Sequence, residues 1–358
     1  MTPHTSASSS ATPPAVCSIV PPHILERLAE SDNPAYAEAA QRTLLVDTTQ
    51  RAAREEAVPG EARAEGELSD KPRRTIYDAG HGTELPGARI RDEGGPAGDD
   101  ATANRAYAGL GATFDLFFKA FGRHSIDGAG LPLLASIHFD EKYDNAFWNG
   151  EQMVFGDGDG ELFLDFTIPV DVIGHELTHG VTQYTANLAY YGQSGALNES
   201  LSDVFGSLVK QYALGQTAEQ ADWLIGAGLL GPAIDNGVAL RSMKEPGTAY
   251  DDDVLGKDPQ PASMDDYVRT NSDNGGVHIN SGIPNRAFYL VATALGGHAW
   301  ERPGRIWYDV LTGGTLDQEA RFADFARATA KSARALYGDG EELKAVLDAW
   351  TTVGVPTR

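Results

Sequence analysis

The chain predicts an α+β molecule of two lobes, a strand-rich N-terminal lobe and a mainly helical C-terminal lobe, preceded by a small helical segment. Three observations carry that expectation. Short runs of alternating apolar residues crowd between Leu133 and Thr167, helical periodicity dominates after Pro169, and the Gly-, Pro- and charge-rich stretch AVPGEARAEGELSDKPRR interrupts the chain before them. The expected units are residues 1–58, 59–168 and 169–358.

At 358 residues the chain can bury a sizeable core without disulfides, and its one cysteine, Cys17, excludes an internal bridge. A balance of 28 Lys and Arg against 51 Asp and Glu, net charge -23, would repel a phosphate backbone, which argues against nucleic acid as a partner. No stretch reaches the roughly 18 to 20 uncharged apolar residues of a membrane span. The opening MTPHTSASSSATPPAVCSIV lacks the basic and apolar regions of a standard export signal.

Element by element, residues 1–15 are Ser, Thr, Pro and Ala and read as a disordered lead-in. Helical patterns follow at His23–Glu30 and Tyr36–Glu56, the second with Ala39, Leu44, Leu45 and Val46 near one face. A long helix, ANRAYAGLGATFDLFFKAFG, precedes the alternating segments LLASIHFD, NAFWNGEQMVFGDGDG and LFLDFT. Asp157 and Asp159 have calcium-loop spacing, but the distant glutamate of a full loop is missing, so Asp-Gly between apolar runs predicts a hairpin turn. Pro169 suits the first turn of a helix whose stripe is Ile173, Leu177, Val181 and Tyr184. Ser194 can cap the next helix, with Leu197, Leu201, Val204, Phe205, Leu208 and Tyr212 inward and Gly215 at its end.

The stretch DVIGHELTHG places His175 and His179 one turn apart on the same helix face, where both imidazoles reach a single point. Glu176 lies about 100° round from His175, close enough to take a proton from an attacking water. H-E-x-x-H on a helix is a known zinc metalloprotease arrangement, yet two histidines alone make no catalytic site. SGALNESLSD supplies the rest: Glu199 completes a three-ligand set with one position left open, as catalytic zinc requires. Asp203, four residues on, would accept the second ring N–H of a ligating histidine.

Together, HELTH and NESLSD resemble the thermolysin family of zinc metallopeptidases. DNAFWNG (144–150), LAYYGQSGALNE (188–199), LRSM (240–243) and DNGGVHINSGI (273–283) extend the resemblance from about Asn104 to the C-terminus, while the N-terminal lobe matches poorly and reads as shortened. The resemblance implies a two-lobed endopeptidase cutting protein or peptide substrates, with one zinc ion and Glu176 as proton carrier. It implies that Tyr190 and His278 stabilise the oxyanion, with Asp273 orienting His278. Asn145, Ala146 and Trp148 match positions that hold substrate backbone as an added strand, and Arg241 matches the residue that holds a substrate carbonyl. The pocket after the scissile bond maps onto Phe163, Phe166, Val172, Ile225, Leu229 and Leu240, so a large apolar side chain should be preferred there.

Two departures matter. Calcium-binding relatives carry acids where this chain has Lys210, Leu224 and Ala227; Asp171 and Asp222 remain, so no double calcium site is expected and Lys210 should pair with Asp171. CSIVPPHILERLAE resembles the short pro-segment of the protealysin-like branch, and Cys17 is a candidate to occupy the open zinc position of a self-inhibited precursor. The expected form is a monomer, secreted by an unrecognised route or else retained in the cytoplasm. The competing reading is a catalytically silent zinc protein that binds peptides, which the presence of Glu176, Tyr190 and His278 disfavours.

Overall fold

The computed structural model describes residues 17–56 and 68–357. The linker expected near residue 60 therefore falls largely outside the described residues. Chain order begins with strand β1 (Cys17–Ser18) and helices α1 (Pro22–Ala29) and α2 (Pro34–Glu56). The N-terminal lobe follows with β2 (Arg74–Asp78), β3 (Ala88–Asp92), α3 (Ala101–Phe121), β4 (Leu133–Ile137), β5 (Ala146–Trp148) and β6 (Met153–Phe155). Among the described residues these strands form one sheet in the order β1-β5-β6-β4-β2-β3. β1 is the edge, antiparallel to β5, with Cys17 opposite Trp148 and Ser18 opposite Phe147. The first strand of the chain thus extends a sheet whose other members lie at least 56 residues later.

α3 starts at Asp100, whose side chain accepts from the amides of Thr102 and Ala103, and ends at Gly122 in the left-handed conformation. The helical lobe opens with α4 (Val170–Gln183) and α5 (Gly192–Leu214). Short pairs β7 (Leu224–Ile225) with β8 (Arg241–Ser242), and β9 (Asp251–Asp252) with β10 (Gly256–Lys257), precede α6 (Asp273–Asn280), α7 (Gly282–Leu295), α8 (Arg302–Thr312), α9 (Phe322–Tyr337) and α10 (Glu341–Thr352). One buried apolar cluster runs through both lobes and includes Ile19, Val20, Ile24, Leu25 and Leu28 of the N-terminal segment. Full burial of such side chains contributes about 1.5 to 3 kcal/mol each, so the segment is docked chiefly by this face.

Several local expectations need correction. NAFWNGEQMVFGDGDG, read as one segment, is a hairpin in itself: β5 and β6 are joined at Asn149–Gln152, where the Asn149 side chain accepts from the amides of Glu151 and Gln152, while the Asp-Gly stretch expected to turn a hairpin into LFLDFT joins no pair of strands. LFLDFT forms no strand; Phe163 makes a single bridge to Leu230. On α2 Leu45 is exposed, and the buried face is Ala39, Ala40, Thr43 and Asp47, because the two polar side chains have partners on the catalytic lobes. Tyr184 caps α4 and is exposed, Pro169 is the residue before the helix, and α5 begins at Gly192 with Ser194 bonding back to the Tyr191 carbonyl instead of capping.

Candidate active site

α4 and α5 cross where each has a glycine. A Cβ on Gly206 would lie 2.5 Å from the Asp171 carbonyl oxygen, and one on Gly174 would lie 3.0 Å from the Gly206 Cα. That close approach carries Glu199 and Asp203 of α5 to the histidine face of α4. The Nε2 atoms of His175 and His179 stand 3.0 Å apart. Glu199 Oε2 is 3.5 Å from the first and Glu199 Oε1 is 3.5 Å from the second. His175, Glu176, His179 and Glu199 are all buried.

The other ring nitrogens are held in place. His175 Nδ1 is 2.8 Å from Asp203 Oδ1, and His179 Nδ1 is 2.8 Å from Asn198 Oδ1 and 3.1 Å from Ser202 Oγ. Asp203 is fixed in turn by Arg241, which donates from Nε and Nη2 at 2.9 Å, and by Asn285 Nδ2 at 2.8 Å. Burial opposes charge on Asp203, but Arg241 and His175 outweigh it and hold the carboxyl well below the usual range. Burial, aided by His175, lowers the His179 pKa to about 3, which favours the neutral imidazole a metal needs. Asn198, Ser202 and Asn285 escape a reading of the sequence, since a lone amide or hydroxyl inside a helix carries no signal; the adjacency of Asn198 to Glu199 and of Ser202 to Asp203 was the available hint, and Asn285, on α7, had none.

His278 depends on backbone shape. Asp273, Asn274, Gly275 and Gly276 all have positive φ (52°, 49°, 82° and 78°), a left-handed run tolerable because two of the four are glycine. It lets Asp273 reach forward, with Oδ1 2.6 Å from His278 Nδ1 and Oδ2 accepting the His278 amide at 2.9 Å. Burial opposes charge on His278, but Glu199 and Asp273 outweigh it and raise its pKa. Tyr190 Oη lies 3.3 Å from His278 Nε2 and donates to Glu199 Oε1. Glu176 Oε2 accepts the Trp148 amide at 3.1 Å, so the residue beside the ligands is tied to β5.

The donor set fits a zinc ion. Glu199 Oε2 and Glu176 Oε1 are buried without a hydrogen-bond partner, and two imidazole nitrogens and a carboxylate converge with their outer atoms already bonded. The profile of the thermolysin metallopeptidase catalytic domain matches residues 59–183, and that of the thermolysin metallopeptidase alpha-helical domain matches residues 186–355. The chain belongs to the thermolysin family. It is a zinc-dependent metalloendopeptidase acting on protein or peptide substrates.

Among its relatives is an extracellular metalloprotease of Pectobacterium carotovorum subsp. carotovorum, 53% identical over 344 residues, 96% of this chain and 97% of that one. Thermolysin of Alicyclobacillus acidocaldarius is 40% identical over 289 residues, 78% of this chain and 50% of that one. The solved precursor of protealysin, a metalloproteinase from Serratia proteamaculans, superposes with a TM-score of 0.86 at 54% identity, covering 95% of this chain and all of that chain. This places the chain beside the protealysin-like members of the thermolysin family.

In this thermolysin-family chain the N-terminal strand crosses the site. Ile19 N donates to the Ala146 carbonyl at 3.2 Å, Val20 N donates to Asn145 Oδ1 at 2.9 Å, and Arg241 Nη1 donates to the Ile19 carbonyl at 3.0 Å. The Ser18 carbonyl lies 3.3 Å from His278 Nε2. Trp148 contributes its register opposite Cys17, while its amide is given to Glu176. Ile19 and the six residues Phe163, Phe166, Val172, Ile225, Leu229 and Leu240 are all buried in the same cluster. The Cys17 thiol lies outside the described residues. Lys210 Nζ sits 2.9 Å from Asp171 and 2.9 Å from Asp222, an ion pair where calcium-binding members would carry another acid.

Proposed function

We propose that the chain is a self-inhibited precursor of a zinc endopeptidase that cuts on the amino side of large apolar residues. Residues 1–58 are its pro-segment, 59–168 its N-terminal lobe and 169–358 its helical lobe. The observation that carries this reading is the segment from Cys17 to Val20, which adds β1 antiparallel to β5 and takes up the backbone donors and acceptors that an extended substrate would use. In that register Ser18–Ile19 is the bond at the reacting position, and Ile19 is the residue that would become the new N-terminus.

His175, His179 and Glu199 would hold the zinc. When bound there, zinc lowers the pKa of the attacking water to about 7 and polarises the scissile carbonyl. Glu176 takes the proton from that water and delivers it to the leaving amine; its burial and the neighbouring Glu199 raise its pKa, which suits a carboxylate that must hold a proton between two steps. Tyr190 and His278 face the carbonyl oxygen and donate to it as it gains charge, and Asp273 keeps His278 charged and oriented for this. Arg241 and Asn145 hold the substrate backbone; Asp203, gripped by Arg241, transmits that grip to His175. Cys17, one residue before the reacting position, would place a thiolate on the open coordination position of the precursor. The mature form acts as a secreted monomer, without membrane or nucleic-acid partner.

The test compares the full chain with Cys17→Ser and Ile19→Asp precursors, then maps peptide products of the processed enzyme. Ile19→Asp buries a charge and should free the cleft, giving activity before processing. Cys17→Ser should raise precursor activity if the thiol contributes. Cleavage before Leu, Ile or Phe should exceed cleavage before Gly or Asp by at least about 10-fold in kcat/KM. Equal silence of the parent and both precursors, or products with no such preference, would remove the respective part of this reading.

A further inference from the structure

We propose that His81, His138 and Asp157 form a second transition-metal site, of the zinc class, on the N-terminal lobe and separate from the catalytic centre. Their candidate ligand atoms all lie within 4.8 Å of one another. His138 Nδ1 is 2.8 Å from both Asp157 oxygens, His81 Nδ1 is 3.7 Å from Asp157 Oδ2, and the two imidazole rings are 5.5 Å apart, centre to centre. Rotation of the exposed His81 side chain, with small adjustment of the other two, would bring the three donors to the bond lengths of about 2.0 to 2.2 Å that zinc takes with imidazole and carboxylate.

The surroundings resemble those of a built site. His138 Nε2 lies 3.1 Å from Asp100 Oδ2, and Asp100 is fixed by its bonds at the start of α3. A histidine held through one nitrogen by an anchored carboxylate, with the other aimed at further donors, has the arrangement common around metal ligands. The loops are also joined: the His81 amide donates to the His138 carbonyl at 2.8 Å, and the Asp140 amide donates to the Gly82 carbonyl at 3.0 Å. His81 and His138 both adopt positive φ (60° and 52°), a conformation uncommon for histidine that turns both rings toward Asp157.

Chemistry selects the metal class. Two imidazoles disfavour calcium and magnesium, which want oxygen, and favour zinc or its neighbours; His81 is 58% exposed, so solvent can complete the coordination.

The experiment uses the full chain already holding its catalytic zinc, equilibrated at pH 8 with micromolar free zinc, then measured for metal content and thermal stability. The parent should take up a second equivalent and melt higher. His81→Ala and Asp157→Asn should keep the first equivalent and, once processed, the parent's peptidase activity, yet take up no second equivalent and show no zinc-dependent rise. A parent that holds a single equivalent, or variants that bind the second as the parent does, would overturn the site. Failure of the catalytic reading would instead show as loss of the first equivalent's link to activity.

Discussion

In the proposed mechanism Glu176 is the residue on which the chemistry turns, and its surroundings separate that role from metal binding. It lies on the ligand helix, but its Oε2 is bonded to the Trp148 amide and the three ligand side chains do not need it for their own hydrogen bonds. Glu176→Ala should therefore keep zinc at one equivalent while turnover of the processed enzyme falls by about 10²- to 10⁴-fold or more. Metal analysis beside kcat on the same preparation checks this. Zinc lost in proportion to activity would make Glu176 a structural residue.

At the scale of elements, α1 and α2 hold the β1 strand in the cleft through polar contacts as well as apolar ones. Arg27 donates to the carbonyls of Asp253 and Val254 at 2.9 Å, Arg42 pairs with Asp140, and Asp47 of α2 accepts from Asn145 Nδ2 at 3.0 Å, which ties α2 to the residue proposed to align substrate. His23 Nε2 lies 3.0 Å from Tyr250 Oη, and burial, helped by His278, lowers its pKa to about 4. An undocked His23 regains the ordinary value near 6.5, so between about pH 6.5 and 4 the undocked state holds a proton that the docked state lacks. Docking of α1 is thus at full strength above pH 6.5 and weakens as pH falls toward 4. Hydrogen exchange on the zinc-loaded precursor, corrected for intrinsic rates, should show α1 amides losing protection over that range in the parent and less so in His23→Gln. Equal loss in both would assign the acid sensitivity elsewhere.

Across the whole molecule, the base of the helical lobe is tied by charge. Lys210 reaches from α5 to the buried Asp171 of α4, to Asp222, and to the Leu224 carbonyl at 3.1 Å. An ammonium at that point repels Ca²⁺ and supplies no ligand oxygen. The melting temperature should stay within about 2 °C whether calcium or a calcium-selective chelator is added, because only binding to the folded state would raise it. Scanning calorimetry on zinc-loaded enzyme checks this, and a large rise with calcium would mean that other oxygens build the site. Breaking the pair with Lys210→Ala would strand a buried carboxylate, a loss of about 3 to 5 kcal/mol in comparable cases.

The sequence by itself determined the chemistry-bearing periodicities. Four-residue spacing on α4 and α5 fixed which faces carry His175, His179, Glu199 and Asp203, because helical geometry is local and spacing alone sets it. Strands β4, β5 and β6 and the order of lobes were legible for the same reason. The hairpin was expected at Asp-Gly after β6 and forms instead at Asn-Gly between β5 and β6, because several Asx-Gly pairs compete there and only pairing across the sheet decides between them. The buried face of α2 was expected around Leu44, Leu45 and Val46, because nothing in residues 34–56 announces that Thr43 and Asp47 meet Asp144, Tyr143 and Asn145 about a hundred positions away. Tertiary structure alone decided that Gly174 and Gly206 meet, that Asn198, Ser202 and Asn285 brace the ligands, and that Ile19 lies under Arg241. Each of these depends on distances between segments far apart in the chain, which packing sets and no local pattern records.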